Sequence, residues 1–477
     1  MKLSQDGPAG RAPRVAVVSP PFLSHAQPLS VLAHALAGAG AEVLFVSAPA
    51  FAPLAEAAGA RFVPLTVTRN ANTGIARSTR QGAREAERLE EFLGSTRQGA
   101  VAALLTQSRH RGEDMLADPA QVVAGIGSLQ ERCAPDWYVV DQLSYPVTLA
   151  LHCLGLPFAT FCPGHPTYLP HSPEALFGVP YAWPLAIRPT EDSLAELRRA
   201  ARANDVAFTR RFAEIARTHA PARAPGRAFA LASRHAVVFN YPRFPWLPER
   251  QEGDTHYLYG GHCSPDREPG PGAEWEGVVR RLRASHERLL LIALGTFLSA
   301  RTDVLSLLVR AVRAHVPGCA VVLAAGDGAA ALSHLSGPDV HVADVVPQRW
   351  LLRQVDAMVH HGGNNSFTEC LASATPALVL PFSSDQFSIA HDAERAGLAL
   401  SLDPSRLEQH AVGAALRQLL AEPPGGLPRW TRAVRRRGPD WMARRLLRTM
   451  HGVTVPVPAH GDTGPTGAHS GSVISSR

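Results

Sequence analysis

The sequence predicts an α/β protein built from two doubly wound halves. Short β-branched runs alternate with helical periods over residues 14–67, and a second alternating series begins at residue 287. A Gly/Pro-rich stretch separates the two series, with seven Gly or Pro between residues 260 and 272. With 477 residues and 45% hydrophobic content, the chain is long and apolar enough for two cores.

In chain order, RVAVVSP reads as a strand and PFLSHAQP as a loop. PLSVLAHALAGAG follows as a helix that closes on glycine. EVLFVSAP, FAPLAEAAG and RFVPLTV continue as strand, helix and strand. This βαβαβ order implies a parallel sheet with right-handed crossovers. Residues 79–133 read as a long charge-rich helical region. WYVVD and LPFATF are further buried strands. Residues 162–188, rich in Pro, His and aromatics, have no period, and a loop this long in a compact domain is usually functional. A charged helix over 193–218 and the strand AVVFN complete the half. The second half reads ERLLLIALGTF, helix DVLSLLVRAVRAH, strands CAVVLAAG and VHVADVV, helix RWLLRQV and strand AMVHHGG. The expected division is an N-terminal domain over 1–258, a linker over 259–273 and a C-terminal domain over 274–427. One helix over 428–451 packs back on the first domain, and a disordered tail fills 452–477.

Composition narrows the function. The net charge is +6 and the pI about 9.2, carried by arginine, since Lys2 is the only lysine. The arginines are scattered apart from the run at 435–437, which suits phosphate-bearing small molecules better than nucleic acid. None of the six Cys forms a CxxC pair, which favours reduced thiols in a cytoplasmic protein. The 21 His show neither HExxH nor Cys/His ligand spacing, so no metal site is expected. No apolar run reaches the ~18 residues of a membrane span, and the run Val15–Val18 is far too short for the apolar core of a signal segment, so neither is expected.

The most informative stretch is residues 345–386, VVPQRWLLRQVDAMVHHGGNNSFTECLASATPALVLPFSSDQ. His361 can offer an N–H to a phosphate oxygen, and Gly362 and Gly363 let the backbone approach a bulky anion. Asn364, Asn365 and Ser366 open a helix whose free N–H groups and positive dipole end suit phosphate. Glu369, one turn in, can accept from two ribose hydroxyls. Asp385 and Gln386 follow a strand-like run from which polar groups can reach sugar hydroxyls.

With Gln348, His361, Glu369, Pro376, Pro381, Asp385 and Gln386 in register over 42 residues, this stretch resembles the donor-binding signature of family-1 glycosyltransferases, particularly the bacterial macrolide enzymes. The resemblance implies a GT-B architecture, two Rossmann-like domains facing a cleft. It also implies a metal-independent, inverting hexosyltransferase with a nucleotide sugar as co-substrate and a natural-product-like acceptor. The Asp385–Gln386 pair favours UDP-glucose over TDP-sugars. Gly295 and Thr296, at the end of LIALGTF, would give backbone N–H groups to a phosphate; a tight turn before a helix is the plain alternative. Gln348 would meet the base edge. Enzymes of this kind often carry an aromatic where this chain has Val345, so Trp350 or another side chain must cover the base, or base recognition is looser.

His25, in SPPFLSHAQP, lies after the first strand; an imidazole there can deprotonate a hydroxyl or make a local hydrogen bond. The resemblance places the catalytic base here, with Ser24 where the family usually has glycine. Asp141, ending WYVVD, can orient that histidine or cap the next helix; the similarity of PDWYVVDQLSYP to the macrolide enzymes implies the first role. Asn70, Asn72, His165 and Tyr168 are candidate acceptor contacts or ordinary loop residues. A monomer or homodimer is expected. A non-catalytic sugar-nucleotide-binding protein and a transferase acting on a lipid-linked acceptor are the other readings.

Overall fold

The computed structural model describes residues 11–68, 83–116, 118–250, 253–265 and 270–452. The expected tail and the segment holding Asn70 and Asn72 lie outside the described residues. The first sheet contains β1 (Arg14–Val18), β2 (Glu42–Ser47), β3 (Arg61–Pro64), β4 (Trp137–Asp141), β5 (Phe158–Cys162), β6 (Ala236–Phe239) and β7 (His256–Tyr259). Its strands are parallel, in the order β3-β2-β1-β4-β5-β6-β7. The second sheet holds β8 (Arg288–Ala293), β9 (Cys319–Ala324), β10 (Val340–Ala343), β11 (Ala357–His360), β12 (Ala377–Val379) and β13 (Ala399–Ser401). These run parallel in the order β10-β9-β8-β11-β12-β13.

Helices cover both faces of each sheet, which is why the central strands are uninterrupted apolar runs rather than alternating ones. Val15 to Val18 and Leu289 to Ile292 are fully buried. In each sheet the strand order reverses beside its first strand. β1 lies between β2 and β4, and β8 between β9 and β11. A reversal of this kind opens a crevice at the carboxyl ends of the strands.

Several expectations are corrected. The helix after β1 spans Leu23–Gly38 and contains Pro28. His25 therefore sits in its first turn and not in a preceding loop; Pro28, the sixth helical residue, forfeits one bond of the ladder, that to the Ser24 carbonyl. The region 79–133 is three helices, Ala83–Gln98, Ala100–Asp114 and Pro119–Cys133. They are broken at Gly99, with φ of 123°, and at Asp118, with φ of 46° ahead of Pro119. The expected single C-terminal helix is two, Leu427–Arg435 and Pro439–Gly452, because Gly438 takes φ of 92° and Pro439 starts a new helix. His256–Tyr259, read as the approach to a linker, is an edge strand. Among the described residues no helix is long and apolar enough to cross a membrane.

The two halves share an apolar cluster. Cys162, Phe239 and Phe244 from the first join Leu289, Phe367 and Val434 from the second. Phe244 meets Trp430 edge-on at 4.4 Å, and Tyr241 meets Phe367 at 5.5 Å. Helix Pro439–Gly452 lays Met442, Leu446 and Met450 into the core under helix Leu23–Gly38.

A buried carboxylate sits within this interface. Asp392, on helix Gln386–Arg395, has no solvent exposure. Its Oδ2 takes His165 Nε2 at 2.9 Å and the Tyr241 hydroxyl at 3.0 Å. Its Oδ1 takes Trp246 Nε1 at 2.8 Å and the Tyr181 hydroxyl. The backbone N–H of Thr167 donates to His165 Nδ1, so the ring proton lies on Nε2, facing Asp392. Burial opposes the charge on Asp392, but the bonds from His165, Tyr181 and Trp246 hold its carboxyl below the usual range.

Asp392→Asn keeps the shape but turns an N–H toward donors. Denaturant unfolding at pH 7 is expected to show a loss of about 3–5 kcal/mol. A lowered folded-state pKa gives stability that is present above the unfolded carboxyl pKa of about 3.9 and fades as pH falls through the folded value. The gap between wild type and variant therefore narrows only below about pH 4, and a gap independent of pH down to unfolding contradicts the assignment.

Candidate active site

The two crevices face each other, and most of the predicted residues line them. In the first, β1 delivers His25 and β4 ends at Asp141. His25 Nδ1 lies 2.9 Å from Asp141 Oδ2, with the carboxylate fully buried and the imidazole 18% exposed. The second carboxylate oxygen accepts the backbone N–H of Leu143 at 2.8 Å, which locks the side chain's rotation. Asp141 thus orients the histidine instead of capping the helix Tyr145–Leu154, whose N-cap is Ser144. Since the carboxylate takes the Nδ1 proton, Nε2 keeps its lone pair. Burial pulls the His25 pKa down, but the charge and hydrogen bond of Asp141, and the charge of Asp385, outweigh it. The net shift is upward.

In the second crevice β8 ends beside Gly295 and β11 beside His361. Gly295 has φ of 78°, and a Cβ there would lie 2.7 Å from His361 Cε1. A Cβ on Gly363 would strike His361 Nε2. The two glycines therefore form a slot for the imidazole that no larger residue could share. Burial pushes His361 down to about 4, so the ring is neutral near pH 7, and its buried Nδ1 has no hydrogen-bond partner among the described residues. His360, which the sequence reading did not single out, is completely buried, and its Nδ1 accepts the N–H of Gly362 at 3.0 Å. It holds the turn in which Gly362 takes φ of 84°. Thr296 is half-buried in the short helix Gly295–Leu298.

Gln348, Ser366 and Glu369 converge. Gln348 Nε2 donates to Glu369 Oε2 at 2.7 Å and to Ser366 Oγ at 3.2 Å. Trp350 is half-buried and packs one side against the core. The exposed apolar side chains near these strand ends are Val345, 68% exposed, and Phe297, 37% exposed.

Most of the remaining residues join the halves; Gln386 is held within its own. Asn364 Nδ2 donates to the carbonyls of Pro163 and Asn240, both at 2.6 Å. Asn365 Nδ2 donates to the carbonyl of Ser24 at 2.8 Å. Asp385 Oδ2 accepts the N–H of His165 at 2.7 Å. Gln386 is buried, and its Oε1 takes the N–H groups of Phe382 and Ser383 at 2.9 and 3.1 Å. His165, expected among the acceptor contacts, is instead fully buried and committed to Asp392 and Thr167. Tyr168 is half-buried, its hydroxyl 2.7 Å from Ser384 Oγ and 3.3 Å from Arg111 Nη2. Asp392 and Asn240 were not legible as interface residues, because their partners lie 124 to 227 positions away. Pro28 gave no such signal, because the sequence reading starts the helix at Pro28, where a proline forfeits no bond; only the helix start at Leu23 puts it inside.

Residues 313–426 match the C-terminal domain family described as erythromycin biosynthesis protein CIII-like. The oleandomycin glycosyltransferase of Streptomyces antibioticus is 35% identical over 147 residues, 31% of this chain and 32% of that protein. A sterol 3-beta-glucosyltransferase of Vanderwaltozyma polyspora is 32% identical over 83 residues, 17% of this chain and 7% of that protein. The chain thus spans no more than about a third of the length of these curated relatives. Among solved structures, the glycotransferase of kitacinnamycin superposes with a TM-score of 0.66 at 22% identity, covering 92% of this chain and 100% of that one. Glycosyltransferase VinC in complex with dTDP superposes with a TM-score of 0.60 at 19% identity, over 92% and 100%. The spinosyn rhamnosyltransferase SpnG, complexed with thymidine diphosphate, gives 0.58 at 18%, over 91% and 100%. These likenesses establish the GT-B architecture. Residues 313–426 thus resemble an antibiotic-glycosyltransferase C-terminal domain, and the chain as a whole has the GT-B fold and is similar to the bacterial macrolide glycosyltransferases.

Proposed function

We propose that the chain transfers a hexose from a nucleotide diphosphate sugar to a hydroxyl of a small, natural-product-like acceptor by a single displacement that inverts the anomeric centre. The observation that carries this reading is the His25–Asp141 pair lying beside the His361–Gly363 slot, with Asn365 of that loop–helix bonded to Ser24 next to the base and Asp385 near enough to act on its charge. His25 Nε2 takes the acceptor proton as the hydroxyl oxygen attacks the anomeric carbon. Asp141 stabilises the imidazolium that forms. The leaving diphosphate lies at the N-terminus of helix Asn364–Ser373, where free N–H groups and the His361 imidazole receive its charge without a metal. Glu369 accepts the ribose hydroxyls, and Gln348 moves from Glu369 to the base edge.

UDP-glucose is the donor that Asp385 and Gln386 favour by resemblance. A second reading rests on Gln386, whose amide is already occupied by Phe382, Ser383 and the Ser383 hydroxyl. That occupation favours a sugar with fewer hydroxyls, carried on thymidine diphosphate as in the two solved complexes. Mass spectrometry over a panel of UDP- and TDP-sugars separates the two.

His25→Ala is expected to lower turnover by ~10²–10⁴-fold while leaving donor affinity nearly unchanged. NMR of the product from an α-linked donor should show a β-linkage; an α-linked product overturns the single displacement. The raised pKa of His25 predicts that the acidic limb of the rate profile has its midpoint above the ordinary histidine value of about 6.5. Asp141→Asn, which removes the raising charge, moves that limb to lower pH, and a limb that stays put would remove Asp141 from the mechanism. His361→Ala should weaken calorimetric binding of UDP-glucose at least about tenfold, the scale of one lost charge-assisted hydrogen bond; unchanged binding places the phosphate elsewhere.

A further inference from the structure

Helix Leu23–Gly38 carries the proposed base in its first turn and has a defect there. Pro28 has no backbone N–H to give the carbonyl four residues earlier, which is that of Ser24. In an uninterrupted helix that bond would close the turn containing His25. The missing donor comes from the other half of the molecule. Asn365 Nδ2 donates to Ser24 O at 2.8 Å, across 341 positions of sequence.

Asn365 does not stand alone. Its Oδ1 faces Asn240 Nδ2 at 3.4 Å, and its neighbour Asn364 uses both amide hydrogens on the carbonyls of Pro163 and Asn240. Ser24, Pro163 and Asn240 follow β1, β5 and β6, so the amide pair grips the carboxyl edge of the first sheet at three strands. Both asparagines open helix Asn364–Ser373, the helix at whose N-terminus the proposed diphosphate sits. One rigid element therefore holds the leaving group at its tip and closes the helical turn that aims the base.

We infer that Asn365 is a positioning residue for glycosyl transfer, acting through the Ser24 carbonyl to hold His25 at a fixed place relative to the donor. This rests on the proposed role of His25. An ångström of misplacement at a reacting centre costs up to about a hundredfold in rate, so a side-chain amide that never touches the reacting atoms can matter as much as one that does.

The test is a double-mutant cycle between Asn365→Ala and His25→Ala, with hydrogen exchange on the full chain as a readout independent of activity. Asn365→Ala is expected to lower kcat about ten- to a hundredfold and to speed amide exchange in the first turns of helix Leu23–Gly38, with helix Asn364–Ser373 still protected. Placed on His25→Ala it should cost nothing more, because its effect runs through the base. Asn365→Asp, which keeps the size but removes the donor, should match the alanine variant. Pro28→Ala, which returns an N–H to the Ser24 carbonyl, should restore protection in the Asn365→Ala chain. Losses that multiply in the cycle, or unchanged exchange at residues 26–33, overturn the inference and leave His25 as base intact. A His25→Ala protein of undiminished turnover overturns the base itself, and the inference with it.

Discussion

Two parallel sheets that are not joined in one ladder can keep their carboxyl edges face to face only if side chains hold them, and here the holding is done around a buried charge. Asp392 collects donors from His165, Tyr181, Tyr241 and Trp246, all in the N-terminal half, while sitting on a helix of the C-terminal half. A carboxylate in an apolar interface is costly unless its lone pairs are filled, so the arrangement is close to all-or-none. Two of the segments it gathers also reach the C-terminal half beside the cleft. His165 passes its N–H to Asp385, Tyr241 packs on Phe367 of the donor helix, and Trp246 stacks on Phe244, which meets Trp430.

The geometry of the candidate site follows from a second constraint, the reversal of strand order. In both sheets the residues with chemistry sit on the two strands that flank the reversal. His25 and Asp141 follow β1 and β4; Gly295 and His361 follow β8 and β11. No loop has to travel to bring these groups together, because a parallel sheet with this order already opens a crevice there. The residues that do travel, Asn364, Asn365 and Asp385, use backbone carbonyls and N–H groups of the opposite half, which any sequence provides.

This division explains what could be read from the chain alone. The strands were visible as β-branched runs because burial on both faces leaves no room for polar residues. The donor stretch was visible because local spacing on a strand, a turn and one helix sets the relation of His361, Gly363 and Glu369. Helix breaks at Gly99 and Gly438 were readable in principle but lay inside amphipathic patterns strong enough to hide them. The roles of His165 and Asp392 were not readable. Both lie in segments where a surface role is equally consistent with the residue type, and only the docking of the halves buries them. Gln386 shows the same effect locally: its amide is turned inward by two backbone N–H groups that sequence spacing does not reveal.

The path of the last helix has a consequence for chimeras. Residues Pro439–Gly452 come after the C-terminal half in sequence, yet Met442, Leu446 and Met450 complete the core of the opposite half beneath Val15, Leu29 and Leu32. A hybrid made by a single crossover between the two sheets would carry a foreign helix into that core. The C-terminal half is therefore transplantable between homologues only as an internal cassette, with one junction before β8 and another near Gly438, where the chain passes back between the halves. The Phe244–Trp430 contact shows that even this cassette must be matched to its recipient at the aromatic seam.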